Sequence, residues 1–286
     1  MTATQPERYL AFAPSAPPVP VRSERRNWRW WSVHLEHSGA PDAEARMLLL
    51  HGAGGNAAAM RPLAARIADR GVLVTAVDLP GYGETAPRPG PRPPLRALRY
   101  EQWRALAVRV LRELDDGRPL LVAGVSIGGM LALEAAALSG RAGAVLATCV
   151  LDVRDAETLA AVMRLPRLAP LAPLLRLCRG PLGRLRIPLA LVTPMRRAAN
   201  DPRLVAEALR DTRGAGGRMP LAWYDSFLHA RPVLEPGDPR LPPVVLAHPA
   251  EDRWTAPELS LRALADLAPG HETVMLPGGG HLPVEE

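Results

Sequence analysis

Leu120-Leu121-Val122-Ala123-Gly124-Val125-Ser126-Ile127-Gly128-Gly129-Met130 is the stretch on which the reading of this chain turns. An apolar run suited to a buried strand stops at Gly124, and a helix-forming run over 130–138 begins just beyond it. Between them lies Gly-x-Ser-x-Gly. Small residues two before and two after the serine permit a very sharp strand-to-helix turn. Such a turn lifts the Ser126 hydroxyl above the sheet edge and aims a helix N-terminus at whatever it attacks. The bare pentapeptide is a weak signal, and its framing by a strand and a helix is what gives it weight.

The same alternation extends outward in both directions. Residues 28–35 read as a strand. Residues 47–50 predict a short buried strand ending in His51-Gly52-Ala53-Gly54-Gly55-Asn56, and 57–70 a helix stopped by Gly71. Residues 72–77 predict a strand running into Asp78-Leu79-Pro80-Gly81-Tyr82-Gly83, residues 100–114 a helix, and 144–150 another strand. The pattern resumes with a strand at 244–248, a helix at 257–267 and a strand at 272–276 that ends in Pro277-Gly278-Gly279-Gly280-His281. The expected fold class is therefore α/β, a mainly parallel, doubly wound sheet flanked by helices.

Two segments depart from this rhythm. Residues 1–26, rich in Pro and Arg, predict a flexible or wrapped N-terminal arm. Residues 154–235 predict helical pieces broken at Pro166, Pro170, Pro173, Pro181, Pro188, Pro194 and Pro202. This block leaves from a strand end, so it is expected as a helical lid inserted into a core made of 27–153 and 236–286.

Composition narrows the function classes. The chain has 286 residues, 48% hydrophobic and 22% charged, enough for one large domain with an insertion. Net charge is +6, but every basic residue is Arg, and the wealth of Ala, Pro, Leu and Gly points to GC-rich coding as its source. Acidic residues are interspersed among the arginines, which argues against nucleic acid as a partner. No run reaches the roughly 20 apolar residues of a membrane span, and the N-terminus lacks a secretory pattern. Cys149 and Cys178 read as free thiols, so a reducing, cytoplasmic setting is expected. No cluster has metal-ligand spacing, and the Gly-rich loops lack the phosphate-loop and dinucleotide fingerprints, so neither metal nor cofactor is expected.

Ser126 is a poor nucleophile without a base, and the base needs an orienting carboxylate. His281 and Asp252 supply these roles in the chain order Ser, acid, His. Asp252 lies 29 residues before His281, with one helix and one strand between them, so their loops are neighbours. Asp152, after the strand at 144–150, is the alternative acid, and Glu251 adjoins Asp252. An oxyanion formed at the attacked carbonyl needs two donors. The backbone N–H groups of Ile127 and Ala53 are the candidates, with Gly54 in reserve. His51 and Asp78 read as loop-holding residues, whereas His34, His37, His229, His248 and His271 read as surface or packing residues.

With these pieces in place the chain resembles the α/β-hydrolase superfamily over nearly all of residues 28–286. The likeness rests on His51-Gly52-Ala53-Gly54, Asp78-Leu79-Pro80-Gly81-Tyr82-Gly83, Gly124-Val125-Ser126-Ile127-Gly128-Gly129, His248-Pro249-Ala250-Glu251-Asp252 and Gly280-His281. Within it, the His-Gly-Ala-Gly loop and the lid are similar to those of monoacylglycerol lipases and lysophospholipase-like esterases. One departure is that such proteins usually carry a further helix after the corresponding histidine, whereas this sequence stops at Glu286. The resemblance implies a serine hydrolase of small carboxylic esters. The same triad also suits an acyltransferase, a thioesterase, a cofactor-free perhydrolase or a carbon–carbon hydrolase, and the fold alone would suit a non-catalytic binding module. Aspartate-nucleophile dehalogenase or epoxide chemistry is disfavoured by serine at 126. Leu165, Leu168, Leu171, Leu174, Leu175 and Met195 favour an apolar acyl chain, although ordinary lid packing accounts for them equally.

Overall fold

The run Met47-Leu48-Leu49-Leu50 divides the molecule in two, because successive side chains of a strand point to opposite faces. Met47 and Leu49 join one buried cluster with Met60, Ala64 and Val74. Leu48 and Leu50 join the other with Trp103, Leu106 and Leu131. A computed structural model, describing residues 5–284, shows the sheet between these clusters.

In chain order the first elements are α1 (Gln5–Leu10), β1 (Val21–Trp28), β2 (Trp31–Ser38), β3 (Ala45–Leu50), α2 (Ala57–Ala68) and β4 (Val72–Val77). A two-residue strand β5 (Ala86–Pro87), α3 (Tyr100–Leu114), β6 (Leu120–Gly124), α4 (Ile127–Ser139) and β7 (Ala144–Ala147) follow. The inserted segment holds α5 (Ala156–Val162), β8 (Arg186–Pro188), α6 (Leu189–Val192), α7 (Pro202–Arg210), β9 (Arg218–Pro220) and α8 (Leu221–Leu228). The core closes with β10 (Val244–Pro249), α9 (Pro257–Leu267) and β11 (Glu272–Leu276).

The main sheet runs β1-β2-β4-β3-β6-β7-β10-β11, with β5 paired to β2. It is parallel from β4 to β11, and β2 is antiparallel to β1, β4 and β5. β3, β4, β6, β10 and β11 therefore release their loops at one edge, where ligands of such sheets bind.

Local chemistry sets the helix ends. Asn56 caps α2 by accepting the Ala59 N–H at 2.9 Å. On α3, Trp103, Leu106, Ala107, Val110, Leu111 and Leu114 recur at helical spacing and are buried. α4 starts immediately at Ile127 and ends at Gly140 in the left-handed region.

Three expectations need correction. The described part of the N-terminal arm is wrapped and not flexible throughout: α1 packs on α2 through Tyr9, and after an irregular stretch over 11–20 β1 pairs with β2 along its length. Its charged sequence suits an exposed edge strand, which has no apolar alternation to read. The strand expected over 28–35 is instead split by a hairpin turn at Arg29, whose φ is 49°. The inserted segment is also not wholly helical, because β8 and β9 form a small antiparallel sheet. Within it, residues Pro166–Arg179 wind as 3-10 helix straight through Pro170 and Pro173. An α-helix there would drive each ring against the carbonyl four residues back. Its buried residues, Ala169 and Ala172, recur every third position, the period of a 3-10 turn. Among the described residues no single helix is long and apolar enough to cross a membrane.

Candidate active site

The turn from β6 into α4 holds Ser126 at φ 58° and ψ −130°, a strained conformation for a residue with a Cβ. It exists because its neighbours are small. A Cβ on Gly124 would collide with the Gly128 carbonyl, and one on Gly128 would come within 2.5 Å of the Leu50 carbonyl on β3. The Ser126 N–H donates to Thr148 Oγ1 at 3.2 Å, which steadies the turn from the neighbouring strand end.

The loops after β10 and β11 meet at this turn. Ser126 Oγ donates to His281 Nε2 at 2.9 Å, and His281 Nδ1–H donates to Asp252 Oδ2 at 2.8 Å. Asp252 is held in turn: its Oδ1 accepts the Trp254 and Thr255 N–H groups at 2.7 and 3.0 Å, and its Oδ2 accepts the Thr255 hydroxyl at 2.7 Å. Burial pushes the Asp252 carboxyl up, but the hydrogen bond and charge of His281 and the Thr255 donors outweigh it and leave it at about 2. The Trp254 ring lies against the imidazole with centroids 4.5 Å apart. Ser126 and His281 are both buried.

Above Ser126 lies a cavity of about 290 Å³, with Ala53, Ser126 and Ile127 in its lining. The inserted segment contributes Leu168, Leu171, Leu189 and Trp223, so most of this wall is aliphatic or aromatic. Among the described residues neither the Ala53 nor the Ile127 N–H has an acceptor. Ile127 heads α4, where an N–H is free by geometry. Ala53 lies in the turn closed by the Gly55 N–H to the Gly52 carbonyl at 3.1 Å.

The other candidates fall elsewhere. Asp152, the alternative acid, is engaged by Arg154 at 2.6 Å and has no contact with His281. His51 donates from Nδ1 to the Gly52 carbonyl at 2.8 Å and accepts the Leu79 N–H at 3.1 Å, a loop-holding position. Asp78 accepts from Ala57 N, Glu84 N and His34 Nδ1, each at 2.7 Å. His34 and His37 are thus buried and hydrogen-bonded, His37 between Thr75 and Glu24. Among the described residues no group of three His, Cys, Asp or Glu side chains is placed to hold a metal. Cys149 and Cys178 are free, and burial pushes the Cys149 thiol up to about 12.

Sequence reasoning passed over Thr255, Trp254 and Thr148. A signal existed for the first two: in Asp252-Arg253-Trp254-Thr255, an aspartate followed by a threonine three places on suits a turn in which the carboxylate collects the next N–H groups. Thr148 carried none, because it reads as one more residue of a strand.

The comparisons with known proteins agree with this architecture. The pattern of the Alpha/beta hydrolase family matches residues 47–286. A soluble variant of monoglyceride lipase from Saccharomyces cerevisiae superposes with a TM-score of 0.70 at 15% identity, over 95% of this chain and 92% of that one. The monoacylglycerol lipase of Paleococcus ferrophilus gives 0.65 at 20% identity, over 87% and 90%. At these identities the likeness is one of fold. In sequence, 126 residues are 36% identical to the AMB antimetabolite synthetase AmbE of Pseudomonas aeruginosa, covering 44% of this chain and only 5% of that synthetase. The chain belongs to the alpha/beta hydrolase family.

Proposed function

We propose that this hydrolase cleaves carboxylic esters of apolar acyl groups through a covalent acyl-enzyme. The observation that carries the reading is the unbroken relay from Ser126 Oγ through His281 to Asp252, with Ser126 opening into an apolar cavity. His281 Nε2 takes the hydroxyl proton as Ser126 Oγ attacks the acyl carbon. The oxyanion that forms is stabilised by the N–H groups of Ala53 and Ile127. As the carbon–oxygen bond to the alcohol breaks, the imidazolium returns the proton to the leaving oxygen. Water, deprotonated by His281, then releases the acid and restores Ser126. Asp252 keeps the proton on Nδ1 and stabilises the imidazolium. The segment over 154–235 acts as a lid that excludes bulk water, and its cavity-lining residues Leu168, Leu171, Leu189 and Trp223 grip the acyl chain.

A second reading keeps the triad and changes the acyl donor or acceptor, giving a thioesterase or acyltransferase. The relay acts on the acyl carbon and serves equally whether an alcohol or a thiol leaves. Esters, thioesters and monoacylglycerols of graded chain length, assayed on one preparation, separate the two. The ester reading expects the highest kcat/KM on medium or long acyl esters. Labelling of Ser126 by a fluorophosphonate probe tests both against a non-catalytic module, which would not label.

A further inference from the structure

The 3-10 run Pro166–Arg179, with Leu165 just before it, carries a leucine stripe that the core does not use. Leu165, Leu168, Leu171, Leu174 and Leu177 recur at every third position and are 44% to 77% exposed. With three residues per turn, such positions stack in one straight row. The stripe adjoins the active-site cavity: Leu165, Leu168 and Leu171 line it, and Leu174 and Leu177 continue the row away from it. Aliphatic side chains in a continuous exposed row mark a surface that something apolar covers.

Charge says what kind of surface. Residues 154–235 contain 14 of the 35 arginines and 7 of the 29 acidic residues. That segment is therefore +7, while the rest of the chain is −1. Arg167 and Arg176 stand in the run itself, both exposed, and among the described residues neither has a carboxylate partner. Arg164, Arg196 and Arg197 line a groove beside α6 and are likewise without one. The stripe carries no Trp or Tyr, the residues that with Arg anchor protein partners, whereas leucine is under-represented there. A leucine row flanked by arginine is the pattern of a segment lying in a lipid interface, with apolar side chains among the acyl chains and guanidinium groups at the phosphates.

We propose that this face of the inserted segment docks on an anionic lipid surface, and that the acyl ester enters the cavity directly from it. The docking part stands on the leucine row and the unpaired arginines. The entry part rests on the esterase reading above. The segment before the run, α5, meets it at 103°, so the two do not form one straight span.

The test measures binding and turnover separately. Ser126→Ala protein is floated with vesicles of phosphatidylcholine alone and with vesicles containing about 30% phosphatidylglycerol. Binding to the anionic vesicles only, weakened by salt, is expected. Arg167→Gln/Arg176→Gln is expected to lower the affinity by about thirtyfold. Leu174→Gln/Leu177→Gln, two exposed positions outside the cavity lining, is expected to weaken binding by at least about tenfold. In the Ser126-containing protein, both pairs leave hydrolysis of soluble p-nitrophenyl acetate unchanged, which reports an intact fold, and slow hydrolysis of a long-chain ester held in anionic vesicles. Absence of vesicle binding, equal binding to both vesicle types, or affinity unaltered by either pair overturns the docking proposal. So does self-association lost in the leucine variant without any vesicle binding, which would assign the face to a second copy of the chain. If the vesicles bind but no ester is cleaved, the docking stands and the esterase reading falls.

Discussion

The carboxylate of Asp211, in the inserted segment, accepts the side-chain amide of Asn56 at 2.7 Å, 155 residues away in sequence. Asn56 caps α2 and ends the loop that carries Ala53, so this one bond ties the segment to the candidate oxyanion donor. Tyr9 of α1 donates to the same carboxylate at 3.2 Å. Asp211→Ala leaves a buried amide unpaired, which costs about 1–3 kcal/mol. Thermal unfolding should show that loss. In the ester assay, kcat should fall more than KM rises, because a loosened Ala53 loop weakens binding of the transition state more than of the substrate.

Thr255→Val removes the hydroxyl that donates to Asp252 Oδ2 and keeps the shape of the side chain. A hydrogen bond to a charged group contributes about 1.5–3 kcal/mol, so kcat should fall by about tenfold or more with little change in KM. Steady-state kinetics on one soluble ester measures both quantities.

Gly124→Ala should abolish the elbow. The added Cβ collides with the Gly128 carbonyl, a backbone atom that cannot swing aside. The expected destabilisation is at least about 3 kcal/mol, read as a large drop in melting temperature or loss of soluble protein.

Acid stability should report on Asp252. Its side chain is 1% exposed, and its folded carboxyl sits at about 2, below the value of about 3.9 for an unfolded aspartate. A depressed carboxyl stabilises the fold fully above the unfolded value. That contribution, about 2 kcal/mol, is lost as pH falls from about 4 through 2. Denaturant titrations across this window should show it in the native protein and lack it in Asp252→Asn. The same variant should lose about 10⁴-fold in kcat at neutral pH, because an amide no longer enforces the proton on His281 Nδ1.

How far the sequence carried this picture depended on how local each feature was. Ser126, Asp252 and His281 each follow a short apolar run in a loop with its own small or polar residues, so each could be read alone, and the parallel order of the sheet then set them at one edge. The Asp211–Asn56 bond joins residues with no common local pattern, and nothing short of the folded chain shows it. β1 was illegible because an edge strand needs no buried face. The row of leucines in 165–177 is present in the sequence at a period of three, whereas Pro166, Pro170 and Pro173 read as breaks in a helix of period 3.6. Proline ends an α-helix here and allows the tighter 3-10 turn to continue.

The most direct test of the proposed mechanism is the rate of p-nitrophenyl butyrate hydrolysis by Ser126→Ala against the native protein, with fluorophosphonate labelling of both. A catalytic Ser126 predicts a fall of about 10⁴-fold or more and labelling of the native protein alone. A Ser126→Ala protein that retains the full rate would contradict the account.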